Sequence, residues 1–180
     1  FVRALPEETR FYFFGPDRSN VAMATGVGIC SAVWRHSQNW AHDFAKILNK
    51  GCAGIRAEAE ARLAAIDDPF DVVEKKPFLE AIVITCDALT TWARRYAALA
   101  TEMAARESKP QRKRELEQIA AVCARVPEHP ARTFREALQA QWFAQMFSRL
   151  EQNIGGQVSQ GRMDQYLYPF YRKDVEEGRL

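Results

Sequence analysis

The chain has 180 residues, 47% of them hydrophobic and 27% charged, which is enough apolar material for one ordinary core and far from a disordered composition. A net charge of +2 creates no field that would hold nucleic acid or an anionic membrane. The apolar runs are short and broken by charge, so none spans a bilayer, and FVRALPEETR at the start lacks the features of a signal peptide; the cytoplasm is the expected compartment.

Residues 1–20 read as a short extended piece, Phe11 to Phe14, running into a turn at Gly15-Pro16. The small apolar segment from Val21 to Trp34 reads as a loop entering a buried strand around Gly28 to Val33. Arg35 to His42, RHSQNWAH, is a polar cluster. His36 and His42 lie six apart, which is not the i, i+4 spacing that places two ligands on one helix face, so no metal site is expected. Either histidine is available as a general acid or base; the plainer alternative is a solvated or capping side chain. Arg35 stands one helical turn before Asn39, and a guanidinium beside an amide suits a carboxylate or sulfonate, the plainer alternative being an ordinary surface charge.

From Trp40 to Ile66 the apolar residues recur at helical spacing, with Gly51 and Gly54 marking a break between two helices and Asp67-Asp68-Pro69 stopping the second. Glu74 to Arg106 reads as one long helix with Pro77 in its first turn and a stripe of Phe78, Ile82, Thr85, Leu89, Trp92, Tyr96, Leu99 and Met103. At about 1.5 Å per residue it would reach roughly 45 to 50 Å, more than a domain of this size usually holds, and so points to a larger whole. The run ESKPQRKR reads as a basic, solvated turn, and Glu115 to Val126 as an amphipathic helix ended by Pro127. Thr133 and Glu136 have the spacing of a capping box; the helix behind them, from Phe134 to Met146, is apolar over more than half its girth and is expected to be buried on most sides.

Arg149 to Tyr171, RLEQNIGGQVSQGRMDQYLYPFY, is rich in glycine and rings and has no sustained period, so it reads as a loop. Gly155-Gly156 and Gly161 permit positive φ, and Gln157, Ser159 and Gln160 offer uncharged donors and acceptors. Arg162 and Asp164 are placed to brace it as an ion pair, with Leu167, Tyr168, Phe170 and Tyr171 anchoring it in a core. Cys30, Cys52, Cys86 and Cys123 follow neither a metal-binding nor a disulfide spacing, and Cys86 and Cys123 fall on apolar helix faces as small buried hydrophobes.

Gly161-Arg162-Met163-Asp164-Gln165-Tyr166-Leu167-Tyr168-Pro169-Phe170-Tyr171 resembles a signature of the glycyl radical enzymes of the pyruvate formate-lyase type, especially their dehydratase and carbon-heteroatom lyase branch. Pro77 to Ala81 and Pro130 to Gln139 are similar to two further blocks in the family's order, and with Ala45 to Leu63 the resemblance covers most of the chain. It implies a mainly α segment, the N-terminal helical part of an α/β barrel that is ten-stranded in the full-length family. Residues 1–180 would be a partial domain, an internal piece whose two ends read as cut.

The resemblance also implies a glycyl radical, installed by a separate S-adenosylmethionine iron-sulfur activating enzyme and relayed to a cysteine. Neither the family's Gly-Cys-x-Glu loop nor its glycine loop is in this stretch, and Gly51-Cys52-Ala53-Gly54 has glycine where the glutamate belongs; no catalytic residue, bound cofactor or metal is expected here. By counting from matched blocks, Arg35, Asn39 and Gln157 are the implied substrate-binding residues and Gly161, Arg162 and Asp164 a structural loop. Asn39 and Gln157 stand where glycerol-dehydratase-like members carry histidine and serine, which argues against a diol; the sulfite-lyase branch is similar in placing an arginine near Arg35. The implied partners are a small-molecule substrate, the activating enzyme and, at full length, a second copy, with no nucleic acid or membrane. Two alternatives stay open: an arylsuccinate synthase or arylacetate decarboxylase, for which Trp34 and Trp40 speak, and a non-catalytic helical interaction module.

Overall fold

In the computed structural model the described residues are 40–152 and 158–180. The expected extended piece at Phe11 to Phe14 and the strand at Gly28 to Val33 lie outside them. The chain divides into two compact units, Phe1–Trp40 with Arg149–Ser159, and Ala41–Ser148 with Gln160–Leu180. Of the first unit, residue 40, residues 149–152 and residues 158–159 are described.

The described residues are mainly helical: β1 (Trp40–Ala41), α1 (Phe44–Ala64), α2 (Pro69–Glu74), α3 (Lys76–Arg106), α4 (Pro110–Arg125), α5 (Phe134–Gln152), β2 (Val158–Ser159), α6 (Met163–Tyr166) and α7 (Tyr168–Glu176). Asp43 opens α1 by accepting from the Lys46 N–H at 3.0 Å. The expected break falls at Gly51, whose φ of 67° and ψ of 172° leave the helical region, whereas Gly54 stays helical. That break frees groups on both sides of the kink, and residues 127–131 take them up: the Cys52 and Ala53 N–H groups donate to the carbonyls of Pro127 (2.8 Å) and Glu128 (2.9 Å), and the Ala131 N–H donates to Leu48 O (2.9 Å). The Val126-Pro127 peptide is cis. Arg94, on α3, holds the same segment from its far side with a forked pair to Glu128, Nη2 to both carboxylate oxygens at 2.7 Å.

Helix α3 is 31 residues long, roughly 46 Å at 1.5 Å per residue. The face it buries overlaps only in part the bulky stripe that the periodicity singles out: Leu89 is buried and Ile82 and Trp92 pack against the core. Leu79, Cys86, Leu89, Ala93, Ala97, Ala100 and Ala104 are buried, while Phe78 is 68% exposed and Tyr96, Leu99 and Met103 about half exposed. Alanine and cysteine let a neighbouring helix backbone approach closely, and α3 packs against α1 on one side and, through a three-residue connection, against α4. Two clusters form the core. Cys52, Cys86, Leu89, Ala93, Ala97, Cys123 and Phe143 make one; Leu48, Val126, Ala137, Ala140 and Leu167 make the other, on the opposite side of the kink.

Three further elements depart from expectation. Helix α4 starts at Pro110 rather than Glu115, so most of the basic run is helical: proline at N1 lacks only an N–H that has no helical partner, and Arg112 pairs with Glu115 one turn on at 2.9 Å. Helix α5 departs only in a single stripe: Arg135, Leu138 and Trp142 are exposed, Trp142 by 56%, while the rest of residues 134–148 are buried or half-buried as its apolar girth leads one to expect. The stretch read as a loop to Tyr171 instead folds into α6 and α7 at its end, with Pro169 again in a first turn.

The capping box at α5 is offset by one residue. The Glu136 N–H donates to Thr133 Oγ1 at 3.2 Å, but the Glu136 carboxylate reaches the Arg132 N–H at 2.7 Å. Glu136 is 5% exposed and also takes the Arg132 guanidinium at 2.8 Å. Burial pushes its carboxyl up, and the hydrogen bonds from Arg132 together with the Arg125 charge outweigh it and hold the group below its ordinary range. A second buried carboxylate, Asp174 of α7, accepts from the Phe134 N–H at 2.8 Å, which ties α7 to the start of α5 across forty residues of chain.

Candidate functional site

Arg35, Asn39 and Gln157, the implied substrate-binding residues, lie outside the described residues. In sequence Asn39 is three residues before His42, and Gln157 three before Gln160.

Within the second unit, α5 carries Gln141, Gln145 and Ser148 at the i, i+4, i+7 spacing that puts side chains on one helix face. Gln141 and Gln145 are buried, 6% and 4% exposed, an uncommon state for uncharged polar groups unless they are bonded. The Gln141 amide donates to the Gln160 side-chain oxygen. The Tyr166 hydroxyl donates to the Gln160 backbone carbonyl at 2.7 Å, and burial pushes that phenol's pKa up. Ser148 Oγ lies 2.7 Å from His42 Nε2. Phe44 packs between the His42 and Tyr166 rings, with centroids at 5.5 and 5.4 Å. The result is a polar seam along α5, closed at one end by residues 42–44 and at the other by residues 160–166.

This seam positions groups and does not generate a nucleophile. The Ser148 hydroxyl lies 3.0 Å from Ala144 O, to which it donates, and 2.7 Å from His42 Nε2, so its single proton already has a backbone acceptor. Burial lowers the His42 pKa and keeps the ring neutral at ordinary pH. His42 is therefore neither the solvated nor the capping histidine that the sequence offered. An apolar girth does not mark these glutamines; the signal the sequence carries for them is the spacing of Gln141, Gln145 and Ser148.

Arg162 and Asp164 do pair, Nε to Oδ1 at 3.0 Å and Nη2 to Oδ2 at 2.8 Å, next to Gly161 at a φ of 61°. Both side chains are open to solvent, 70% and 64% exposed. The Arg162 hydrogen bond holds the Asp164 carboxyl below its ordinary range. Of the expected anchors, Leu167 is buried and Phe170 half-buried, while Tyr168 and Tyr171 stay exposed. Cys52 is buried and its proton is held, first by the neighbouring Cys86 thiol and then by burial, so it is not a thiol poised for substrate. Among the described residues no cluster of three metal-ligating side chains occurs, and no helix is long and apolar enough to cross a membrane.

A family model described as pyruvate formate lyase-like matches residues 11–180. Isethionate sulfite-lyase of Oleidesulfovibrio alaskensis is 60% identical over 149 residues, 82% of this chain and 18% of that protein. Among solved structures, one describing 1,2-propanediol dehydration in Roseburia inulinivorans superimposes with a TM-score of 0.76 at 34% identity, over 96% of this chain and 22% of that one. A glycyl radical enzyme from Archaeoglobus fulgidus superimposes with a TM-score of 0.73 at 31% identity, over 97% and 25%. The chain thus spans about a fifth to a quarter of the length of these proteins.

Proposed function

The chain belongs to the pyruvate formate lyase-like family, and from that membership we propose that it is part of a glycyl radical lyase that cleaves a carbon-sulfur bond in a small anionic sulfonate. The observation that carries this reading is the 60% identity to a protein named for releasing sulfite from isethionate. At full length the segment is the helical N-terminal part of an α/β barrel, working as a cytoplasmic homodimer with an S-adenosylmethionine iron-sulfur activating enzyme. The radical, once installed, supplies the hydrogen abstraction that starts bond cleavage.

The segment's own part is to bind and orient. Arg35 offers a planar fork of fixed positive charge to a sulfonate, and Asn39 and Gln157 offer amide hydrogen bonds that add no charge to the pocket. The polar seam of His42, Gln141, Ser148, Gln160 and Tyr166 supports this reading because it fixes, by bonded and at least half-buried groups, the residues three positions beyond Asn39 and Gln157 in the chain.

The test uses the full-length protein, activated without oxygen and offered isethionate, 1,2-propanediol and an arylacetate in parallel. Release of sulfite from isethionate alone is the expected result. Turnover of the diol or of the arylacetate in its place would move the protein to another branch, and a chain that accepts no radical would be the helical module.

A further inference from the structure

Cys52 on α1 and Cys86 on α3 are buried, 2% and 7% exposed, belong to one core cluster, and each thiol shifts the other's pKa. Two clefts open on either side of them. One is apolar, walled by Ile47, Ile55, Phe78, Ile82 and Leu89; the other is polar, walled by Arg56, Asp87, Thr90, Arg94 and Glu128. Cys52 and Cys86 are the two residues that line both, so the thiol pair is the partition between them. The polar cleft has a volume of about 200 Å³, room for several molecules the size of water, each taking about 30 Å³ in the liquid.

We propose that Cys52 and Cys86 are a modification site, a dithiol that a small peroxide entering by the polar cleft converts to a disulfide joining α1 to α3. The family's radical reaction does not use this pair. Cys86, whose side chain lines the polar cleft beside Arg56, is the attacking sulfur: the neighbouring Cys52 thiol, with a smaller contribution from the Arg56 guanidinium, favours its thiolate against burial and the Asp87 carboxylate, while Cys52 keeps its proton. The Cys86 sulfur attacks one peroxide oxygen, the O–O bond breaks, and the departing hydroxide takes up a proton and leaves as water, with a sulfenic acid left at Cys86. The Cys52 sulfur then attacks the Cys86 sulfur, the S–O bond breaks, and the hydroxyl leaves with the Cys52 proton as a second water. Two thiols lose two electrons, and one peroxide becomes two waters. Cys123 belongs to the same core cluster but faces the apolar cleft between α3, α4 and α5, away from the polar one, and serves as an internal control.

The full-length protein is treated with hydrogen peroxide, its remaining thiols are alkylated, and its peptides are mapped by mass. The expected result is a linked Cys52-Cys86 peptide pair lighter by about 2 Da than the sum of its thiol forms, reversed by dithiothreitol, with Cys123 still alkylated. Cys86→Ser abolishes the link and Cys123→Ser leaves it. Recovery of alkylated Cys52 and Cys86 at the same rate as Cys123, linkage of either to another cysteine, or irreversible oxidation of Cys86 with no link would each overturn the proposal. The unsubstituted protein decides the matter alone if a serine at either position unsettles the fold.

Discussion

A β-carbon on Gly51 would lie 2.6 Å from the carbonyl carbon of His129 and 2.8 Å from its α-carbon, closer than side-chain carbons come to backbone. The left-handed φ at Gly51 breaks α1, and the missing side chain lets residues 127–129 lie directly against the break. The same turn of helix carries Cys52, lies against the segment that the Arg94 and Glu128 pair holds, and marks the boundary between the two core clusters.

Gly51→Ala is therefore expected to destabilise the folded protein by about 2 to 5 kcal/mol, left-handed strain adding to backbone overlap. Gly178 is the control, since its φ of 68° is equally left-handed but nothing lies within 4 Å of an added β-carbon. Gly178→Ala is expected to cost only about 1 kcal/mol. Denaturant unfolding of both variants checks the contrast, and equal losses would show that close approach does not matter at Gly51.

Asp174 joins α7 to the first N–H of α5 and to Arg179, whose Nε and Nη2 donate at 2.9 and 2.5 Å. Burial raises its carboxyl pKa, and the Arg179 and Phe134 hydrogen bonds outweigh that and bring it below the ordinary aspartate value of 3.8. A depressed folded-state pKa means that its stabilisation is complete above the unfolded value and is lost as pH falls through the folded one. Unfolding free energy is expected to drop with falling pH below about 4, and Asp174→Asn to flatten that slope. An unchanged slope would refute the assignment.

The Arg162 and Asp164 pair lies in open solvent, where screening and side-chain entropy offset most of the attraction. Asp164→Ala is expected to keep a soluble protein with a single cooperative thermal transition at the unsubstituted temperature. This differs from the loss of folding that a pinned, ring-anchored loop would suffer, and scanning calorimetry separates the two.

Arg35→Ala in the full-length, activated protein is expected to raise KM for a sulfonate about 10- to 100-fold, or about 1.5 to 3 kcal/mol of lost binding, with kcat changed less. An unchanged KM would remove Arg35 from the anion site.

Much of this chain was legible from its residues because the signals are local. The break at Gly51, the Thr133 cap, the long helix ending at Arg106 and the resemblance of residues 161–171 to a family signature all depend on neighbours within a few positions in the chain. The implied binding residues Arg35, Asn39 and Gln157 rest on that same resemblance. Tertiary structure alone decided which face of α3 is covered: a periodic pattern marks an apolar stripe by side-chain size, but burial followed Ala93, Ala97, Ala100 and Ala104, where helix backbones come close. It alone also buried Glu136 and Asp174, since a carboxylate is kept inside only when distant donors such as the Phe134 N–H converge on it, and no count along the chain shows such a meeting.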